Sequence, residues 1–186
     1  VVNVAWALVL QKLANVQEVV FGNVTTGRNG SMPGLDSVVG PCVNMLPFRL
    51  KLNTNSPSIS RRQQLRDLVQ ASAQQVDERT EHEGQDWEDL VDNSTTWASG
   101  TSYTSAVHFR NMAFEPELRL GDEKVVVTWY ELVAKPHWTT VLVYPEDNVL
   151  RLWLLASPEE IGEDGADEIL QMLSTYCDEI VKELRS

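Results

Sequence analysis

Apolar residues over the first fourteen positions recur at Val1, Val4, Ala5, Leu8 and Val9, the spacing of one helix face. From Glu18 to Gly27 β-branched residues dominate (Val19, Val20, Val24, Thr25, Thr26), which predicts a strand. Residues 27–34 are dense in Gly, Asn and Pro and read as a loop. Residues 42–52 read as extended, with Pro47 marking an edge position or a bulge. Residues 53–60 have a linker composition that ends in N-cap candidates. From Ser60 to about Glu81, Leu65, Leu68, Val69, Ser72, Ala73 and Val76 make one face of a long amphipathic helix, and 86–91 admits a short second one.

The period changes in the second half. Residues 105–112, 124–132, 139–146 and 150–156 read as four strands, with Glu146-Asp147-Asn148 turning the chain between the last two. The chain closes with a helix whose apolar face is Ile169, Met172, Leu173, Tyr176, Ile180 and Leu184. Glu159, Glu160, Glu163, Asp164, Asp167 and Glu168 crowd its start, and Lys182 and Arg185 sit at its end. That asymmetry suits the helix dipole and explains the acidic run without an active site. The expectation is an α/β (α+β) fold over residues 1–186. Its sheet is mixed and mostly antiparallel, flanked by long amphipathic helices.

A chain of 186 residues suits one substantial core. The formal net charge of −12 argues against nucleic acid and anionic membrane as partners, because phosphate binding needs clustered Lys and Arg. No apolar run approaches the roughly 20 residues of a membrane span. The apolar start lacks the basic region and small-residue cleavage site of a leader, and without an initiating Met it reads as a cut from a longer chain. Cys42 and Cys177 allow one disulfide, but a reduced pair in a cytoplasmic protein is the favoured reading. His82, His108 and His137 are isolated and lack metal-ligand spacing. "TTGRNG" lacks the Gly-Lys-Ser ending of a phosphate loop, and no G-x-S-x-G elbow occurs.

The most specific stretch is "VGPCVNMLPFRL" (39–50). It resembles the fifth core motif of nonribosomal peptide synthetase condensation domains, roughly [I/V]-G-x-[F/C]-[V/I]-N-T-x-x-x-R. Val39, Gly40, Val43, Asn44 and Arg49 match, and Met45 stands where the family usually has Thr. "VVFGNVTTGRNG" is similar to the family's V-x-F-G-x-x-x-x-G-R segment, "EHEGQDWEDL" falls where its sixth motif is expected, and "SAVHFRN" resembles its seventh-motif strand. The variant at Cys42 and the acidity resemble the fungal branch. The family's catalytic motif, H-H-x-x-x-D-G, is not in this sequence. His82 and Asp86 of "HEGQDW" share its spacing. That stretch has one His rather than two, Trp87 in place of the Gly, and the wrong position relative to Asn44.

The resemblance implies the C-terminal lobe of a two-lobe fold similar to chloramphenicol acetyltransferase. It implies a role in forming amide or ester bonds between acyl groups carried on phosphopantetheine. This lobe would supply tunnel wall and carrier-docking surface and be inactive alone, with no cofactor bound directly. Its partners would be the N-terminal lobe or an adjacent adenylation domain, and peptidyl carrier proteins, with self-association a further possibility. Arg28, at the G-R position, would pair with the Asp of the catalytic motif and have no buried carboxylate partner in this chain. Asn44 is either a structural amide or tunnel wall, Gly40 permits close approach or an unusual φ, and Arg49 faces carrier phosphopantetheine or solvent. Most of the tryptophans are expected in the core, and residues 27–50 are expected to expose an unusually apolar face. The alternatives are a non-catalytic platform for a neighbouring synthetase domain and an independent acyltransferase built on His82 and Asp86.

Overall fold

The computed structural model describes residues 1–29, 33–52, 59–110, 118–125, 138–146 and 148–185. Helix α1 (Val2–Ala14) leads into strand β1 (Glu18–Thr25), a 3-10 turn at Leu35–Ser37 and β2 (Asn44–Lys51). Helix α2 (Arg61–Glu78) follows, capped by the Ser60 hydroxyl, which accepts from the Gln63 amide at 3.2 Å. A 3-10 turn at Arg79–His82 and α3 (Trp87–Ser94) lead to β3 (Ser105–Phe109). A small hairpin of β4 (Leu118–Leu120) and β5 (Glu123–Val125) precedes β6 (Thr139–Glu146), β7 (Val149–Leu155) and α4 (Glu163–Arg185).

The main sheet runs in the order β2-β1-β3-β6-β7. Its long outer pairings, β1 with β2 and β6 with β7, are antiparallel, and the two inner ones, β1 with β3 and β3 with β6, are parallel. Pro47 sits on the edge strand β2, where its missing N–H disrupts no inner ladder.

Alternation along the strands sorts the two faces. Val19, Phe21, Phe48, Leu50, Val107, Val141 and Val143 join a core with α1 and with Ile169, Leu173 and Ile180 of α4. Phe21 and Phe48 are cross-strand partners with ring centroids 5.2 Å apart. The other face carries Gly22, Met45, Ala106, His108, Thr140, Leu142 and Leu155. A Cβ at Gly22 would lie 2.5 Å from the Met45 sulfur, so the absent side chain leaves the space that Met45 fills.

Three expectations need correction. The buried stripe of α2 is narrower than its apolar spacing suggests: Leu65 and Ser72 are buried, but Ala73 and Val76 face solvent. Strand β4 of the small hairpin has no counterpart in the strand pattern, whereas β5 overlaps the start of the strand expected at 124–132. Of the described tryptophans only Trp6 is buried; Trp97 and Trp153 are 42% and 41% exposed. The rest of the strand expected at 124–132, together with Trp129, His137 and residues 53–58, lies outside the described residues. Both cysteines are free thiols. No helix among the described residues is long and apolar enough to cross a membrane.

Burial pushes the Cys177 thiol up from 9.0 to about 11 and the Tyr103 phenol up as well. In the folded state both hold their protons to higher pH than in the unfolded chain. The contribution of Cys177 to stability is complete below about pH 9 and is lost as pH rises through about 11, and that of Tyr103 has the same sign at higher pH. Urea midpoints measured from pH 7 to pH 11 should therefore fall above pH 9. Phe48→Ala should lower stability by about 3–5 kcal/mol, the usual cost of emptying a fully buried aromatic site, measured in the same denaturation experiment.

Candidate functional site

The site gathers where β1 ends and β2 begins. Thr25 and Asn44 are cross-strand partners, and the chain between them carries Gly27, Arg28 and Gly40. Gly27 has φ 62°, and a Cβ there would fall 1.8 Å from the carbonyl oxygen of Cys42, so only glycine lets the two limbs of this loop touch. Gly40 has φ 146° in open space, so its need is the unusual φ and not close approach. Arg28 is half-buried. Its Nη1 donates to the carbonyl of Leu35 at 2.8 Å and its Nη2 to that of Gly40 at 2.9 Å. No carboxylate pairs with Arg28 among the described residues. Its guanidinium holds the long loop in shape from within.

A second stretch closes on this loop. Glu83, only 8% exposed, accepts hydrogen bonds from the Thr25 hydroxyl, from the Asn29 side-chain amide at 2.9 Å and from the Asn29 backbone N–H at 3.3 Å. Asn44 donates through Nδ2 to the carbonyls of Glu83 and Gln85, both at 2.8 Å, and its own Oδ1 accepts from the Met45 amide. Asn44 is thus a structural amide, and it also borders the hollow described below. Nearby, burial pushes the Arg79 guanidinium down, and attraction to Glu83 offsets part of that shift.

His82 and Asp86 do not form a dyad. His82 is exposed, and Asp86 caps α3, its carboxylate accepting from the amides of Glu88 at 2.8 Å and Asp89 at 3.3 Å. Arg49 is exposed on the edge strand and pairs with Glu18 across the β1–β2 ladder. Such an exposed pair adds little to stability.

Beside Asn44 the second face of the sheet opens into a hollow of about 530 Å³. Val24, Met45, His108, Arg110, Trp138 and Leu142 are among its lining. Arg110 donates to the Tyr144 hydroxyl at 2.8 Å, reaches His108 Nδ1 at 3.5 Å and lies 5.6 Å from the centre of the Tyr144 ring. His108 and Arg110 are two residues apart, the spacing that puts side chains on one face of an extended chain. What could not be read was which face lay open. Val43, which also lines the hollow, is 62% exposed, and beyond it Val38 and Val39 are 46% and 101% exposed, three exposed valines within residues 27–50.

The family model for condensation domains matches residues 1–134. The chain belongs to the condensation-domain family. Among characterised relatives, cyclochlorotine synthetase of Talaromyces islandicus is 69% identical over the whole chain, which spans 3% of that protein. Malformin synthetase mlfA of Aspergillus sclerotiicarbonarius is 32% identical, again over the whole chain and 4% of its own length. The fold superimposes on a solved protein designated CT, in selenomethionine form, with a TM-score of 0.81 at 24% identity, covering 97% of this chain and 40% of that one. It also superimposes on the starter condensation domain of rhizomide synthetase RzmA, with a TM-score of 0.63 at 17% identity over 97% and 40% of the two chains. The mixed sheet with helices packed on it is the fold that this chain shares with both.

His82→Ala should change stability by no more than about 0.5 kcal/mol, as at other exposed sites. Gly27→Ala should instead displace the loop. Two-dimensional NMR of both variants should show shifts spreading to Cys42 and Arg28 only for Gly27→Ala.

Proposed function

We propose that this chain is the C-terminal lobe of a condensation domain in a nonribosomal peptide synthetase of the fungal kind. It would work in the cytoplasm, where a preceding lobe supplies the H-H-x-x-x-D-G motif. The observation that carries the reading is the hollow on the second sheet face, bordered by the Asn44 motif and next to the Arg28 loop. A face of that kind suits one wall of a tunnel whose other wall is a second lobe. Coverage of 40% of the two solved chains, which leaves more than half of each unmatched, supports a second lobe at least as large as this one.

In this reading the chemistry is acyl transfer. An amine or hydroxyl on one phosphopantetheine arm attacks the thioester carbonyl on another. The new C–N or C–O bond forms as the C–S bond breaks, and the carrier thiol leaves. The motif's second His takes the attacking group's proton or stabilises its charge. This lobe binds no cofactor itself. Its hollow orients the acyl chains, and Arg28 holds the Asp of the catalytic motif. For that contact part of the guanidinium must turn from its two carbonyl partners, or share them, since a guanidinium offers five N–H donors. Arg49 is available to an acidic carrier surface only by exchanging Glu18, which an exposed pair does at little cost.

A second reading, docking of a neighbouring synthetase domain without catalysis, is favoured by the exposed Val38, Val39 and Val43. The readings separate in a thioester condensation assay with donor- and acceptor-loaded carrier proteins. The chain alone should give no product, because an aligned base is worth roughly 10²–10⁴-fold and none is present among the described residues. The synthetase module that carries it should give product, and Arg28→Ala in that module should slow condensation while leaving adenylation intact. Turnover by the chain alone would overturn the catalytic reading. An inactive module that still binds its adenylation neighbour would favour the platform.

A further inference from the structure

We infer that Glu83 is the positioning residue that presents Arg28 to the reacting centre. This rests on the proposed role of Arg28. Glu83 is almost wholly buried yet is bound by no Arg or Lys hydrogen bond among the described residues. Burying a carboxylate this way is costly unless its oxygens are satisfied, and here three donors satisfy them. All three donors belong to Thr25 and Asn29, the residues that bracket Arg28. Asn29 is the next residue in the chain, and it gives both its backbone and its side-chain N–H groups to the same carboxylate. The peptide leaving Arg28 is thereby fixed from outside the loop.

The anchor is itself anchored. The Glu83 carbonyl accepts from Asn44, whose strand β2 is laddered to β1, so the carboxylate is referenced to the sheet. Arg28 then spends its own side chain on Leu35 and Gly40, on the far limb of the same loop. Glu83 therefore sets where the Cα of Arg28 lies, and the loop carbonyls set where its guanidinium points. Glu83 does not line the hollow and makes no contact with a reacting group, so its influence on turnover runs through Arg28.

A double-mutant cycle in the synthetase module tests this, with carrier-bound thioesters as substrates. Glu83→Ala should lower kcat roughly 10²-fold with KM for the loaded carrier little changed, the scale of a 1 Å misplacement. Combined with Arg28→Ala it should cost no more than Arg28→Ala alone. Glu83→Gln keeps an acceptor oxygen for Thr25 and the Asn29 side chain but opposes an N–H to the Asn29 amide. It should restore most of kcat, and it carries the cycle if the alanine variant fails to fold. Hydrogen exchange should speed at residues 26–29 in Glu83→Ala and stay unchanged in β3 and α1. If Arg28→Ala condenses normally, the premise and this inference both fall. If Arg28→Ala is slow but Glu83→Ala is normal, or if the two losses multiply, the positioning role is overturned while the role of Arg28 stands.

Discussion

Helix α1 decides how everything else is arranged. Seven of its thirteen residues are buried, among them Val4, Ala5, Trp6, Ala7, Leu8 and Val9 in an almost unbroken run. A helix buried on one stripe can lie on a surface, but one buried through a continuous run must be enclosed. The sheet takes one side of α1 and α4 packs against the helix as well. Each large side chain so enclosed contributes about 1.5–3 kcal/mol. Two polar contacts fix its register. Trp6 donates to the Ser105 hydroxyl, and Asn23 donates to both the Asn3 side chain and the Val107 carbonyl. With α1 and α4 gathered on one side, the opposite face is left to form the hollow. The hollow is a consequence of where the helices had to go.

The loop that borders the hollow meets a different constraint. It is long, it follows no ladder, and a chain of that kind loses much conformational entropy when ordered. Few apolar contacts offset the loss, since Val38, Val39 and Val43 point to solvent. Order comes instead from polar groups placed inside it. Gly27 lets the limbs meet at the Cys42 carbonyl, Arg28 spans to Leu35 and Gly40, and Glu83 clamps the entry. The described part of the loop is thus held from within by polar contacts while three of its valines face solvent.

The repeating elements were legible in the sequence because each reports its own burial. The spacing of Ile169, Leu173 and Ile180 gave α4, though it begins at Glu163, after the Glu159 and Glu160 expected at its start, and the run of Val19, Val20 and Val24 gave β1 to within two residues. Pro47 marked the edge correctly. What failed depended on neighbours far away in sequence. Ala73 and Val76 continue the apolar spacing of α2 beyond the point where anything packs on it. Trp97 and Trp153 are large and apolar but stand on the open side of the sheet. Leu118–Leu120 is too short for a period to register. Of the site, Asn44 and the Gly27-Arg28 pair stood out through resemblance. Glu83 carried no signal, because a glutamate among Glu81, Gln85 and Asp86 looks like solvated polarity.

That last failure shows how a local pattern and a tertiary role come apart. In "EHEGQDW" the spacing of His82 and Asp86 drew attention, yet each has an ordinary place: one in solvent, the other capping α3. A four-residue spacing says that two side chains share a helix face only if a helix runs through both. Here a 3-10 turn ends at His82 and α3 begins after Asp86, so the spacing has no geometric meaning. The break between the two elements has a different effect. It frees the backbone at Glu83 and Gln85 to offer carbonyls to Asn44, and it turns the Glu83 side chain inward against Thr25 and Asn29. The interruption that removes a dyad is what creates the anchor.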